Sequence, residues 1–167
     1  MPRLHHRIQP CLWFDQQAHQ AATFYTGVFP DSRLGALSHY AEAGREQHGQ
    51  QPGSVMSVSF ELLGQPFLAL NAGPHFKFSE AISLMVLCDT QEEIDHYWNA
   101  LSQGGDPAAQ QCGWLKDRWG VSWQVTPAVF ELWITSPDRA AVERYMSAMM
   151  TMKKLDLARL RAAFEGR

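Results

Sequence analysis

The chain has 167 residues, 46 % of them hydrophobic and 19 % charged, with a net charge of −3 and a pI near 6.1. That fits one ordinary domain with a proper core, and it excludes a phosphate-binding surface, since nucleic-acid binders carry clustered Lys and Arg. The longest basic cluster is Lys153-Lys154, and no apolar run approaches the ~20 residues that span a bilayer.

Residues 1 to 11 are polar and contain His5, His6 and Arg7, so no secretory leader is expected. Ile8 to Phe14 reads as a strand. Gln17 to Phe29 follows, with Ala18, Ala21, Ala22, Phe24, Tyr25 and Val28 on one helical face, and Pro30 stops it. Ser32 to Tyr40 reads as a strand, and the polar stretch Ala41 to Gly53 as a mobile loop. Val55 to Leu62 and Phe67 to Asn71 flank Gly64-Gln65-Pro66 as a hairpin.

The pattern then restarts. Ala81 to Cys88 is a strand. Asp89 or Thr90 caps a helix from Gln91 to about Gln103, with Glu93 at capping-box spacing from Thr90. Gln110 to Leu115 and Val121 to Thr126 form a second hairpin around residues 116–120. A helical tail spans Pro137 to Met150 and Asp156 to Glu165, with Ala, Met and Leu at helical spacing. The expected architecture is therefore α+β: two βαβββ modules, at about residues 7–75 and 80–127, forming a cupped mixed sheet, plus a tail at about 128–167. A cup is a binding site by geometry.

The cysteines, Cys11, Cys88 and Cys112, are few, odd in number and without CxxC spacing, which points to a reducing, cytoplasmic compartment. None of His19, His39, His48, His75 or His96 has paired ligand spacing.

Several segments resemble a known family. They are residues 8–15 (IQPCLWFD), Ala21-Ala22-Thr23-Phe24-Tyr25, Val28-Phe29-Pro30, Ser59-Phe60-Glu61-Leu62, Gly64-Gln65-Pro66-Phe67 and Gly73-Pro74 with Phe76, Phe78 and Glu80. Further on, residues 112–117 (CGWLKD) and 120–125 (GVSWQV) extend the match. Together they resemble the PhnB-like branch of the vicinal-oxygen-chelate superfamily, whose members often carry the label 3-demethylubiquinone-9 3-methyltransferase. The resemblance runs from about residue 8 to 165. It implies a ligand site in the cup, and in metal-dependent members His, Gln and Glu ligands on the first and last strand of each module.

Carried onto this chain, those ligand positions are Gln9, Asn71, Ser83 and Gln124. All four side chains are neutral, and a divalent cation gains little from neutral donors against its dehydration, so no metal is expected. The expected cup set is Gln9, Cys11, Trp13, Asn71, Phe76, Phe78, Ser83, Trp114 and Gln124, suited to a small planar or apolar ligand. Trp13 and Trp114 could equally fill the core, and Phe76-Lys77-Phe78 could be a lid or a pinned linker. Whether Glu61 enters the cup depends on the hairpin: a two-residue loop is expected to turn it to the helix face, a three-residue loop inward.

Two function classes remain open: a small-molecule-binding protein, or a lyase, isomerase or dioxygenase of the superfamily. A purely structural dimer is a third. No strand-to-helix turn is glycine-rich enough to cradle S-adenosylmethionine, and no cofactor is expected. The Met-rich tail (Met146, Met149, Met150, Met152) offers apolar area for a homodimer. No nucleic-acid or membrane partner is expected.

Overall fold

A computed structural model describes residues 8–167. His5, His6 and most of the stretch expected to lack a leader lie outside the described residues. The chain divides into two compact units, residues 1–77 and 78–167.

In the first unit, β1 (Cys11–Phe14), β2 (Arg33–His39), β3 (Val55–Leu62) and β4 (Gln65–Asn71) make a mixed sheet in the order β1-β4-β3-β2. β1 runs parallel to β4, and the other pairs are antiparallel. Helix α1 (Ala18–Val28) buries Ala18, Ala21, Ala22, Tyr25 and Val28, the predicted stripe, while Phe24 stays half-buried. The alanines let the helix sit close to the sheet, and the Tyr25 ring stacks on Phe60, which stacks on Phe67. Phe29 leaves the helix in an extended conformation just before Pro30.

The hairpin turn lies one step earlier than the sequence suggests. Leu63 and Gly64, at φ 49° and 82°, form a two-residue turn, and Gln65 and Pro66 already belong to β4. Positive φ at both positions gives the twist that a tight hairpin needs. Pro66 is tolerated because pairing with β1 begins only at Leu68, so no N–H is wanted there. The expected mobile loop contains one turn of helix, α2 (Arg45–His48), flanked by Gly44 and Gly49 at φ 83° and 67°.

In the second unit, β5 (Leu84–Cys88), β6 (Trp114–Lys116) and β7 (Ser122–Pro127) make a sheet in the order β5-β7-β6. Among the described residues this sheet has three strands where the repeat predicts four. Of the predicted strand Gln110 to Leu115, only Trp114 and Leu115 are in β6; before them come a single bridge between Gln111 and Trp114 and a left-handed bend at Cys112 and Gly113, preceded by a 3₁₀ turn (Pro107–Ala109). Helix α3 (Gln91–Leu101) carries the predicted capping box. Thr90 Oγ1 accepts from the Glu93 N–H, and the Glu93 carboxylate accepts from the Asp89 N–H. The helix buries Ile94, Tyr97, Trp98 and Leu101, and Val86, Cys88, Leu115, Trp123 and Val125 of the sheet are buried as well.

The β6–β7 turn is organised by Asp117. Its buried carboxylate accepts from the N–H groups of Trp119 and Val121 and from the Trp123 indole, at 2.9 to 3.0 Å. The tail forms α4 (Phe130–Ile134), α5 (Arg139–Met149) and α6 (Leu157–Glu165), closed around Trp133, Tyr145, Met149, Met152, Leu155 and Leu160. It is pinned to the sheet side by backbone bonds from Cys112 and Gly113 to Met152 and Lys153, each 2.8 Å. Gln91 clamps it too, donating to the Leu155 carbonyl and accepting from the Leu157 N–H. Among the described residues no helix is long and apolar enough to cross a membrane.

Candidate functional site

Each sheet has one face under its helix and one face turned away. On β1, Leu12 and Phe14 are buried toward α1, so alternation sends Cys11 and Trp13 to the opposite face. Register extends that open face across the sheet. Cys11 and Trp13 sit beside Leu68 and Leu70 of β4, which pair with Ser59 and Ser57 of β3.

Trp13 is held in a defined orientation. Its indole N–H donates to the Gly73 carbonyl at 2.8 Å, and the exposed Phe76 ring meets it edge-on at 4.8 Å. The segment after β4 thus brings an aromatic ring to the strand that opens the unit. Gln9 is exposed and precedes β1. Cys11 opens β1, and partial burial pushes its thiol above the ordinary range, away from a nucleophilic thiolate.

Asn71 is corrected. It lies on the helix face, 7 % exposed, in register with Phe14. Its Oδ1 accepts from the Ala18 N–H at 2.8 Å, satisfying an orphan donor at the start of α1, and its Nδ2 donates to the Val55 carbonyl. The side chain joins helix to sheet on the covered face rather than on the open one. The same register corrects Glu61. It pairs with Pro66, on the face of Leu68 and Leu70, so the two-residue turn places it on the open face rather than on the helix face. There its carboxylate binds the Arg33 guanidinium at 2.7 Å, a partner that sequence spacing did not reveal.

In the second unit, Gln124 and Ser83 do come together. The Gln124 amide donates to Ser83 Oγ at 2.8 Å, and Trp114 is the cross-strand neighbour of Gln124. All three are half-buried, as is Phe78. Met85 and Leu87 of β5, in register with Gln124 and Thr126, leave this sheet face apolar and exposed.

The four positions carried over as metal ligands do not fit a divalent cation. Asn71 is spent on backbone groups, Gln124 presents its N–H to Ser83, and none of the four is anionic. Among the described residues no group of three or more His, Cys, Asp or Glu is placed to hold a metal ion.

Comparison with known proteins gives the family. A model described as 3-demethylubiquinone-9 3-methyltransferase matches residues 6–126. A solved structure from Bacillus cereus, described as a putative 3-demethylubiquinone-9 3-methyltransferase, PhnB protein, is 36 % identical. The match covers 74 % of this chain and 100 % of that one at a TM-score of 0.62. A Pseudomonas aeruginosa protein, 21 % identical, shares the fold over 73 % of this chain and 98 % of its own at a TM-score of 0.56. No curated protein matches. With its two mixed sheets, its helices and a family match over most of its length, the chain belongs to the 3-demethylubiquinone-9 3-methyltransferase-like, PhnB-like branch of the vicinal-oxygen-chelate superfamily.

Proposed function

We propose that this chain is a cytoplasmic small-molecule-binding protein that takes a planar or apolar ligand against the open face of its first sheet, with no catalytic metal and no methyl transfer. One observation carries the reading: Trp13, held by the Gly73 carbonyl and edged by Phe76, stands on the face turned away from α1. A fixed indole beside an exposed ring offers flat apolar area at low entropic cost, which suits a planar partner. The family name points to a planar ring as well. We read the protein as a homodimer, supported by exposed Met146 and Met150 on the tail. Sedimentation velocity at micromolar concentration should give twice the chain mass, and a monomer would contradict this.

The methyl-transfer half of the family name finds poor support in these residues. A donor bound at a helix start needs a glycine-rich approach and free N–H groups. After β1 the chain has Asp15-Gln16-Gln17, and the α1 start is met by Asn71. After β5 it has Asp89-Thr90-Gln91, and the Glu93 carboxylate already occupies the α3 start. An enzyme reading without a metal would use Glu61 as base, supported by its place on the open face, but its carboxylate is already engaged by the Arg33 guanidinium.

Two measurements on one purified sample test this. Calorimetric titration with S-adenosylmethionine should show binding no tighter than about 1 mM. Elemental analysis should show far less than one Zn, Ni, Fe or Mn per chain. Micromolar affinity for the donor, or near-stoichiometric metal, would overturn the proposal.

A further inference from the structure

The second unit contains a cleft of about 470 Å³, within the size range of small-molecule pockets. Its walls include Cys112, Trp114, Met149 and Met150, so a strand, the bend before it and the end of α5 all contribute. The lining is dominated by carbon and sulfur. Ser122 also lines it, only 1 % exposed, and its Oγ is buried without a hydrogen-bond partner among the described residues. A buried hydroxyl left unpaired destabilises the empty protein, and a ligand that supplies the missing bond recovers that loss. Glu80 and Lys116 line the cleft too, joined by an ion pair at 2.5 Å, so they neutralise each other and present no net charge to a ligand.

We propose that this cleft is a second binding site, for a small and mainly apolar molecule carrying one hydrogen-bonding group that pairs with Ser122 Oγ. Trp114 supplies a flat wall, and the thioethers of Met149 and Met150 adapt to the ligand's outline. Charged ligands are excluded, because the one ion pair is internally matched and the remaining lining gives little solvation to a charge. The lining residues all lie within residues 78–167.

The probe is 2-naphthol, a planar molecule with one hydroxyl, titrated calorimetrically into the full-length protein. Alkylation of each cysteine by iodoacetamide is followed by peptide mass in the same samples. Saturable binding is expected, with Cys112 protected at least fivefold, while Cys11 reports separately on occupation of the Trp13 face. Ser122→Ala should weaken 2-naphthol about tenfold while leaving naphthalene unchanged, and should raise the melting temperature of the free protein. Ala109→Phe, which places a ring at the cleft wall, should abolish the protection of Cys112 by both probes even if Ser122→Ala proves hard to fold. Trp13→Phe should leave the protection of Cys112 unchanged. No saturable binding, protection of Cys11 instead of Cys112, or undiminished affinity in Ser122→Ala would overturn the assignment.

Discussion

Tyr145 is a residue whose ring and hydroxyl act in opposite directions. The ring is fully buried beside Trp133, at 5.3 Å between centroids, and fills the tail cluster. The hydroxyl has no partner among the described residues, and burial pushes its pKa up to about 12. Cys88 behaves alike: burial first, then the charges of Glu93 and Asp89, raise its thiol to about 12. In both cases the folded protein holds the proton more tightly than the unfolded chain does. Their contribution to stability is therefore complete below the unfolded values, near 9 for the thiol and 10 for the phenol, and is lost as pH rises toward 12. Thermal melts should fall steeply between pH 9 and 12. Tyr145→Phe keeps the ring and deletes the orphan oxygen, so it should gain about 1 kcal/mol at neutral pH and soften the alkaline fall. A loss of that size at pH 7 would show that the hydroxyl is bonded after all.

At the scale of elements, Asn71 ties the end of β4 to the start of α1 and to β3, through Ala18 and Val55. Tyr40 adds to the same junction by donating to the Asn71 carbonyl. Asn71→Ala should cost about 2–3 kcal/mol, because it strands a helix donor and a strand carbonyl together. Urea denaturation would register this as a lower midpoint at unchanged slope, and an unchanged midpoint would contradict the structural role. This is also where reading the sequence fell short. β1 is apolar on both faces, with Cys11 and Trp13 alternating against Leu12 and Phe14, so its own pattern cannot say which face meets the helix. The structure turns Cys11 and Trp13 of β1 away from the helix and Asn71 of β4 toward it. The missing signal was Leu63-Gly64: read as the two-residue turn, it pairs Phe60 with Phe67 and sends Phe67, Ala69 and Asn71 together to the helix. The inverted face of Asn71 then inverted Glu61.

At the scale of the whole chain, element order, the α+β class, the tail helices and the Thr90–Glu93 capping box were legible, because hydrophobic period and cap chemistry are local. Less legible was whatever depends on distant partners. Arg33 and Glu61 are 28 positions apart, and the Gln91 clamp reaches 66 positions to Leu157. The short β6 was over-read because Gln110 to Gly113 has strand-like flanks, while the left-handed bend at Cys112 and Gly113 is set by the tail bonding to it. Of the candidate site, the Trp13–Phe76 and Ser83–Gln124 pairs are each brought together, and Asn71 is removed. The central claim is that the Trp13 face binds a planar molecule without metal. The direct test is a proton NMR screen of planar aromatic fragments against EDTA-treated protein, beside Trp13→Ala. The account predicts saturable fragment binding that perturbs the Trp13 indole resonance, persists in EDTA and is lost in Trp13→Ala. Binding that appears only after a divalent metal is restored, or that survives Trp13→Ala unchanged, would contradict it.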